Sequence, residues 1–74
     1  MNDALNPKEK KLAELISKSN GNSVWVITAK KVIGEGFNWQ VRRLFADLKS
    51  QRSDNPYLMR QIIGQEANEL LATI

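Results

Sequence analysis

The chain has 74 residues, no cysteine and no histidine, and eleven Lys and Arg against eight Asp and Glu give it a net charge of +3. A chain of this length forms one domain at most, so residues 1–74 are predicted to fold as a single unit. The missing cysteines exclude a disulfide. Together with the missing histidines, they remove the usual zinc ligands and the usual groups of nucleophilic catalysis. We therefore expect a protein that is not an enzyme and holds no metal or cofactor.

The sequence also lacks the features of a membrane protein. Its longest apolar run, residues 24–27, is far too short to span a bilayer. The polar N-terminal residues do not resemble a targeting signal. We expect a cytoplasmic protein without membrane association. Its mild positive charge permits an anionic partner but does not require one.

The first predicted helix covers about residues 7–19. Asn6 is a favourable capping residue, a proline follows it, and Glu9 has the spacing of a capping box. Glu14 precedes Lys18 by four residues, the favourable order for a helical ion pair. The apolar residues of this helix are Leu12, Ala13, Leu15 and Ile16.

Residues 24–33 carry two conflicting patterns. Residues 24–27 are β-branched or aromatic, which favours a strand, yet Trp25 shares a helical face with apolar residues further along. Since no second strand-like run exists, we predict a short helix over 28–33 with Thr28 as its N-cap, and residues 24–27 extended or helical before it. The alternative is a strand over 24–27 that pairs with its copy across a dimer. Trp25 is expected in the core.

Two further helices are predicted in the second half of the chain. Asn38 is the expected N-cap of a helix over 39–52, in which Leu44, Phe45 and Leu48 should be almost fully buried. A last helix is expected over 56–73, with Gly64 inside it. Its apolar residues are Leu58, Met59, Ile62, Ile63, Ala67, Leu70, Leu71 and Ile74. This face is wider than one small domain covers, so a protein interface is predicted at Tyr57, Leu58 and Ile62.

Residues 28–50, two helices joined by a glycine turn, resemble a helix-turn-helix. With the apolar stripe of the third helix inward, its opposite face holds Trp39, Arg43, Ala46 and Ser50. Arg42 and Lys49 flank this face, and Lys30 and Lys31 lie on the preceding helix. The resemblance implies that arginines read base edges in the major groove while lysines neutralise phosphates. The alternative interpretation is that these cations form an ordinary solvated surface.

The sequence thus predicts an all-α domain of four short helices with a helix-turn-helix-like centre. The first hypothesis for its function is a small regulatory protein that binds double-stranded DNA as a homodimer. The second hypothesis is an adaptor or regulator that binds another protein through its apolar C-terminal helix.

Overall fold

The computed structural model describes residues 4–74, which form five α-helices joined by short turns. These are α1 (Pro7–Ser17), α2 (Val24–Glu35), α3 (Asn38–Asp54), α4 (Pro56–Ile63) and α5 (Gln65–Ala72). The described part of the chain contains no strand, so the all-α prediction is confirmed and the alternative strand over 24–27 is wrong. None of the five helices is long and apolar enough to cross a bilayer.

The start of α1 has the predicted capping box. The Asn6 side chain accepts a hydrogen bond from the Glu9 amide at 2.8 Å, and the Glu9 carboxylate accepts one from the Asn6 amide at 2.9 Å. The predicted ion pair between Lys18 and Glu14 is also present, at 2.8 Å. Its hydrogen bond lowers the pKa of the Glu14 carboxyl and raises that of the Lys18 ammonium. The helix ends at Ser17, slightly before the predicted position.

The second helix is longer than predicted. It begins at Val24, where the Ser23 hydroxyl accepts a hydrogen bond from the Val26 amide at 3.3 Å, so Thr28 is not the N-cap. Tertiary packing outweighs the strand preference of this run, because a helix buries Val26 against the core. The same helical phase leaves Trp25 exposed, and its predicted core position is wrong.

The third helix contacts α2, α4 and α5. Its N-cap is Phe37 rather than Asn38, and no side chain caps it there. Phe45 and Leu48 are buried as predicted. Leu44 is only half-buried, because it lines the surface groove between α2 and α3.

The predicted single C-terminal helix is divided in two at Gly64. The backbone of Gly64 has φ +91°, in the left-handed region that favours glycine, so α4 ends before it and α5 begins after it. A methyl group at Gly64 would meet no atom within 4 Å, so its role is conformational and not the close approach of another helix. Both short helices contribute to one core, α4 through Met59 and Ile63 and α5 through Ala67 and Leu71.

The core joins all five helices into one unit. Its buried members are Leu12, Ala13, Ile16, Ala29, Val41, Phe45, Leu48, Met59, Ile63, Ala67 and Leu71. A polar contact supports this packing where α3 meets α5. There Arg52 Nε donates hydrogen bonds to the main-chain and side-chain oxygens of Asn68, at 3.1 and 3.0 Å. Most of the apolar surface of α4 and α5 is thus used inside the molecule.

Phe45→Ala should destabilise the fold strongly. Phe45 is among the largest fully buried side chains, and its removal leaves a cavity at the junction of several helices. We expect the free energy of unfolding to fall by about 3 to 5 kcal/mol. Urea denaturation followed by circular dichroism measures this loss, and a loss below ~1 kcal/mol would contradict the assigned core.

Gly64→Ala and Gly34→Ala form a matched pair that tests the break between α4 and α5. Alanine at Gly64 would have to adopt a left-handed backbone, so we expect a loss of about 1 kcal/mol or more. Gly34 lies in α2 with a helical backbone and open space around it. There the same substitution should be neutral or add up to about 1 kcal/mol. Equal effects on the two unfolding curves would contradict the special backbone of Gly64.

Candidate functional site: the groove between α2 and α3

A groove of about 300 Å³ lies between α2 and α3. Its apolar part is formed by Val32 of α2 and Leu44 of α3, which are both half-buried. Trp39, at the start of α3, forms part of its wall and is 62% exposed. The remaining lining residues are Thr28, Gln40, Arg43 and Asp47. The groove therefore combines an apolar floor with an aromatic wall and two opposite charges.

The two charged groups of the groove have no ion-pair partner among residues 4–74. Arg43 and Asp47 lie one helical turn apart on α3, and both side chains are exposed, yet no hydrogen bond or ion pair joins them to each other. Both charges are thus available to an external group.

The adjacent arginines Arg42 and Arg43 face different neighbours. Arg42 points towards α1, where its Nε donates to the buried Glu9 carboxylate at 3.3 Å and its Nη2 donates to the Ala4 carbonyl at 2.6 Å. Arg43 is rotated by about 100° around the helix and reaches the groove instead. Arg42 therefore connects α3 to α1, while Arg43 lines the groove.

The predicted DNA-contacting lysines also differ in their surroundings. Lys49 Nζ donates to the main-chain oxygen of Ile74 at 2.6 Å, and Lys30 Nζ donates to the Ser19 carbonyl at 2.5 Å. Lys31 is exposed and makes no such bond within the described chain. Of the predicted cations, only Arg43 and Lys31 are therefore without an intramolecular partner in residues 4–74.

The predicted recognition face of α3 is exposed, because it lies opposite the buried side of the helix. Trp39, Arg43, Ala46 and Ser50 are all exposed. The acidic residues Asp47 and Asp54 lie on the same side of α3 and are exposed too. The face therefore has mixed charge.

The predicted protein interface at the start of α4 is only partly exposed. Tyr57 and Leu58 are exposed, whereas Ile62 is half-buried and packs against the core. Most of the exposed bulky apolar side chains lie elsewhere, on α2 and at the start of α3: Val24, Trp25, Ile27, Phe37 and Trp39. Sequence reasoning missed the α2 residues because it began that helix too late. Ser23, a favourable N-cap directly before Val24, was the available signal.

No cluster suited to a metal ion occurs in the described part of the chain. Among residues 4–74, no three acidic side chains come close enough together to hold a cation. The groove itself contributes a single carboxylate, that of Asp47.

Arg42→Ala should destabilise the fold, whereas Arg43→Ala should have little effect on its stability. Removing Arg42 leaves the buried Glu9 carboxylate without its cation, and we expect a loss of about 1 to 3 kcal/mol. Removing the exposed Arg43 should change the free energy of unfolding by less than about 0.5 kcal/mol. Denaturation of the two variants side by side measures the difference. A greater loss for Arg43→Ala would mean that the helical phase assigned to α3 is wrong.

No protein-family model, curated protein or solved structure matches this chain.

Proposed function

We propose that this chain is a small protein-binding domain whose α2–α3 groove receives a segment of another protein. The observation that carries the proposal is the exposed Trp39 beside an apolar floor, with the charged groups of Arg43 and Asp47 lacking ion-pair partners in residues 4–74. Tryptophan and arginine are the residue types that most often dominate the energy of protein interfaces. A regulator or adaptor located in the cytoplasm, as expected from the sequence, is part of this proposal.

The lining of the groove favours a bound segment with an apolar residue between two opposite charges. An apolar side chain of the partner would cover Val32 and Leu44 and pack against Trp39. A carboxylate would then lie near Arg43 and an ammonium or guanidinium group near Asp47. These two α3 side chains are about 5 to 6 Å apart at their Cβ atoms, which matches residues one helical turn apart in a partner helix. The positions of the acidic and the basic residue along a segment then set the direction in which it lies along the groove.

The size of the groove indicates a transient interaction. A volume of about 300 Å³ accommodates one anchoring side chain and little more. Contacts of this kind bury less than about 1,200 Å², the range of weak and transient complexes. Such exchangeable binding suits a regulator or adaptor.

Double-stranded DNA is the second candidate partner. The observation in its favour is that Trp39, Arg43, Ala46 and Ser50 are all exposed on the helix that follows the short glycine turn. In this alternative, Arg43 reads a base edge and Lys31 neutralises a phosphate. Asp47 separates the two candidates, because a carboxylate repels phosphate but attracts a cationic side chain of a protein.

A selection of displayed random peptides tests the protein-binding proposal. We expect peptides with an acidic, an apolar and a basic residue within two helical turns. Trp39→Ala should weaken their binding by about tenfold or more, as for a residue that dominates an interface. Lys10→Ala, on the exposed side of α1, is the matched control and should bind like the parent. Selected peptides that bind Trp39→Ala as tightly as the parent would refute the groove as the site.

Asp47→Asn distinguishes the two candidate partners in one substitution. The change should weaken the selected peptides, because it removes the partner of their basic residue. It should strengthen binding to duplex DNA if α3 contacts phosphates, and that binding should fall steeply with salt. Fluorescence anisotropy measures both ligands under the same conditions. Stronger DNA binding together with unaffected peptide binding would favour the DNA candidate.

A further inference from the structure

We propose that α2 pairs in an antiparallel manner with α2 of a second copy of this chain. The pairing surface, here called the α2 outer face, consists of Val24, Ile27, Lys31 and Gly34. Their spacing of three, four and three residues places them in one stripe along the helix, as in the a and d positions of a coiled coil. This inference concerns self-association and does not depend on what the groove binds.

The α2 outer face is turned away from the core. Val26 and Ala29, on the opposite side of α2, are buried. Val24 is 78% exposed and Ile27 is 58% exposed, although both are β-branched apolar residues. Such side chains on neighbouring turns of one helix form a patch that a second apolar surface can cover.

Gly34 leaves open space on the α2 outer face, into which a side chain of a second helix can fit. It lies in the last turn of α2, is exposed, and has no neighbouring atom within 4 Å of where a Cβ would stand. The intramolecular packing therefore gives no reason for a residue without a side chain at this position. A second helix can approach closely at Gly34 and place a bulky side chain over it.

In an antiparallel two-fold arrangement, each residue of the α2 outer face lies opposite a complementary residue of the partner's α2. Val24 lies opposite the partner's Gly34, so a branched side chain fills the space above a glycine. Ile27 lies opposite the partner's Lys31 and packs on its methylene groups, while the ammonium extends into water. The two-fold axis repeats both contacts, which gives four layers from one twelve-residue helix.

A parallel arrangement is less favourable for reasons of charge and shape. It would place Lys31 against its own copy and oppose two like charges. It would also set Gly34 against Gly34 and leave a void. In the antiparallel arrangement Glu35 instead lies near the N-terminus of the partner's α2, where the helix dipole favours a negative charge.

The consequence for function is a dimer with two grooves. Val32 of the groove and Lys31 of the α2 outer face are adjacent on α2 but point about 100° apart, so both surfaces can be occupied together. A contact between two short helices buries less than about 1,200 Å², so the dimer is expected to be weak and concentration-dependent. Two linked grooves would bind a bivalent partner more tightly than one groove.

Disulfide cross-linking tests the register, because the chain has no native cysteine. Val24→Cys and Gly34→Cys proteins, mixed and oxidised, should form a mixed disulfide dimer. Either protein alone should not exceed the background of Ser17→Cys, an exposed control on α1. In the antiparallel register, two copies of residue 24 are about 15 Å apart along the axis, beyond the reach of a disulfide. Cross-linking of Val24→Cys alone, or no mixed product, would overturn the proposal.

Gly34→Gln tests the same surface without cysteine chemistry. A glutamine fits the open space at this position and favours the helix, so the melting temperature should stay the same or rise. The parent should show a rising average mass with concentration in sedimentation equilibrium, and Gly34→Gln should remain a monomer. Ser17→Gln should associate like the parent. A parent that stays monomeric, or a Gly34→Gln protein that associates equally, refutes the pairing even if peptide binding to the groove is intact.

Discussion

Burial of one side of α3 determines where all its other side chains point. Val41, Phe45 and Leu48 fix the helical phase of α3 by burial in the core that α1, α2, α4 and α5 share. Once this phase is set, neighbouring residues must point to different sides of the molecule. That is why Arg42 reaches the buried Glu9 of α1, while Arg43 reaches the groove. Arg42 and Arg43 are adjacent in the sequence, but in the structure they have separate neighbours and separate roles.

The position of the unburied apolar residues shapes the functional inference. A short chain cannot bury all its apolar side chains, and a cluster of exposed ones is a candidate binding surface. The break at Gly64 turns the faces of α4 and α5 onto one core, and little apolar surface remains there beyond Tyr57 and Leu58. The remainder lies on α2 and around Trp39, beside the groove and along the α2 outer face. Both proposals follow from this placement.

Local signals made part of the fold predictable from sequence. The capping box of α1, its ion pair and the inward positions of Phe45 and Leu48 depend on residues within two helical turns of each other, and all were predicted correctly. The start of α2 was predicted incorrectly. Residues 24–27 have a strand preference, and for that reason Ser23 was not recognised as the N-cap. The division at Gly64 was also missed, since a glycine inside a long amphipathic pattern does not reveal its backbone conformation.

The candidate site was harder to predict than the fold. Its individual residues Trp39 and Arg43 were singled out from helical spacing, but the groove also needs Thr28 and Val32 from the neighbouring helix. Spacing within one helix cannot show which side chains of another helix stand opposite. Nor could it show that Lys30 and Lys49 are engaged by main-chain oxygens distant in sequence.

Nitrogen–proton correlation spectra of the parent protein, recorded during titration with a selected peptide, would locate the binding surface that we propose between α2 and α3. We expect the shifted signals to cluster at the Trp39 indole and at the amides of Val32, Gln40, Leu44 and Asp47. The Lys10 and Ser17 amides on α1 should stay in place. Shifts that cluster on α1 or around Tyr57 and leave the Trp39 indole unmoved would contradict this proposal.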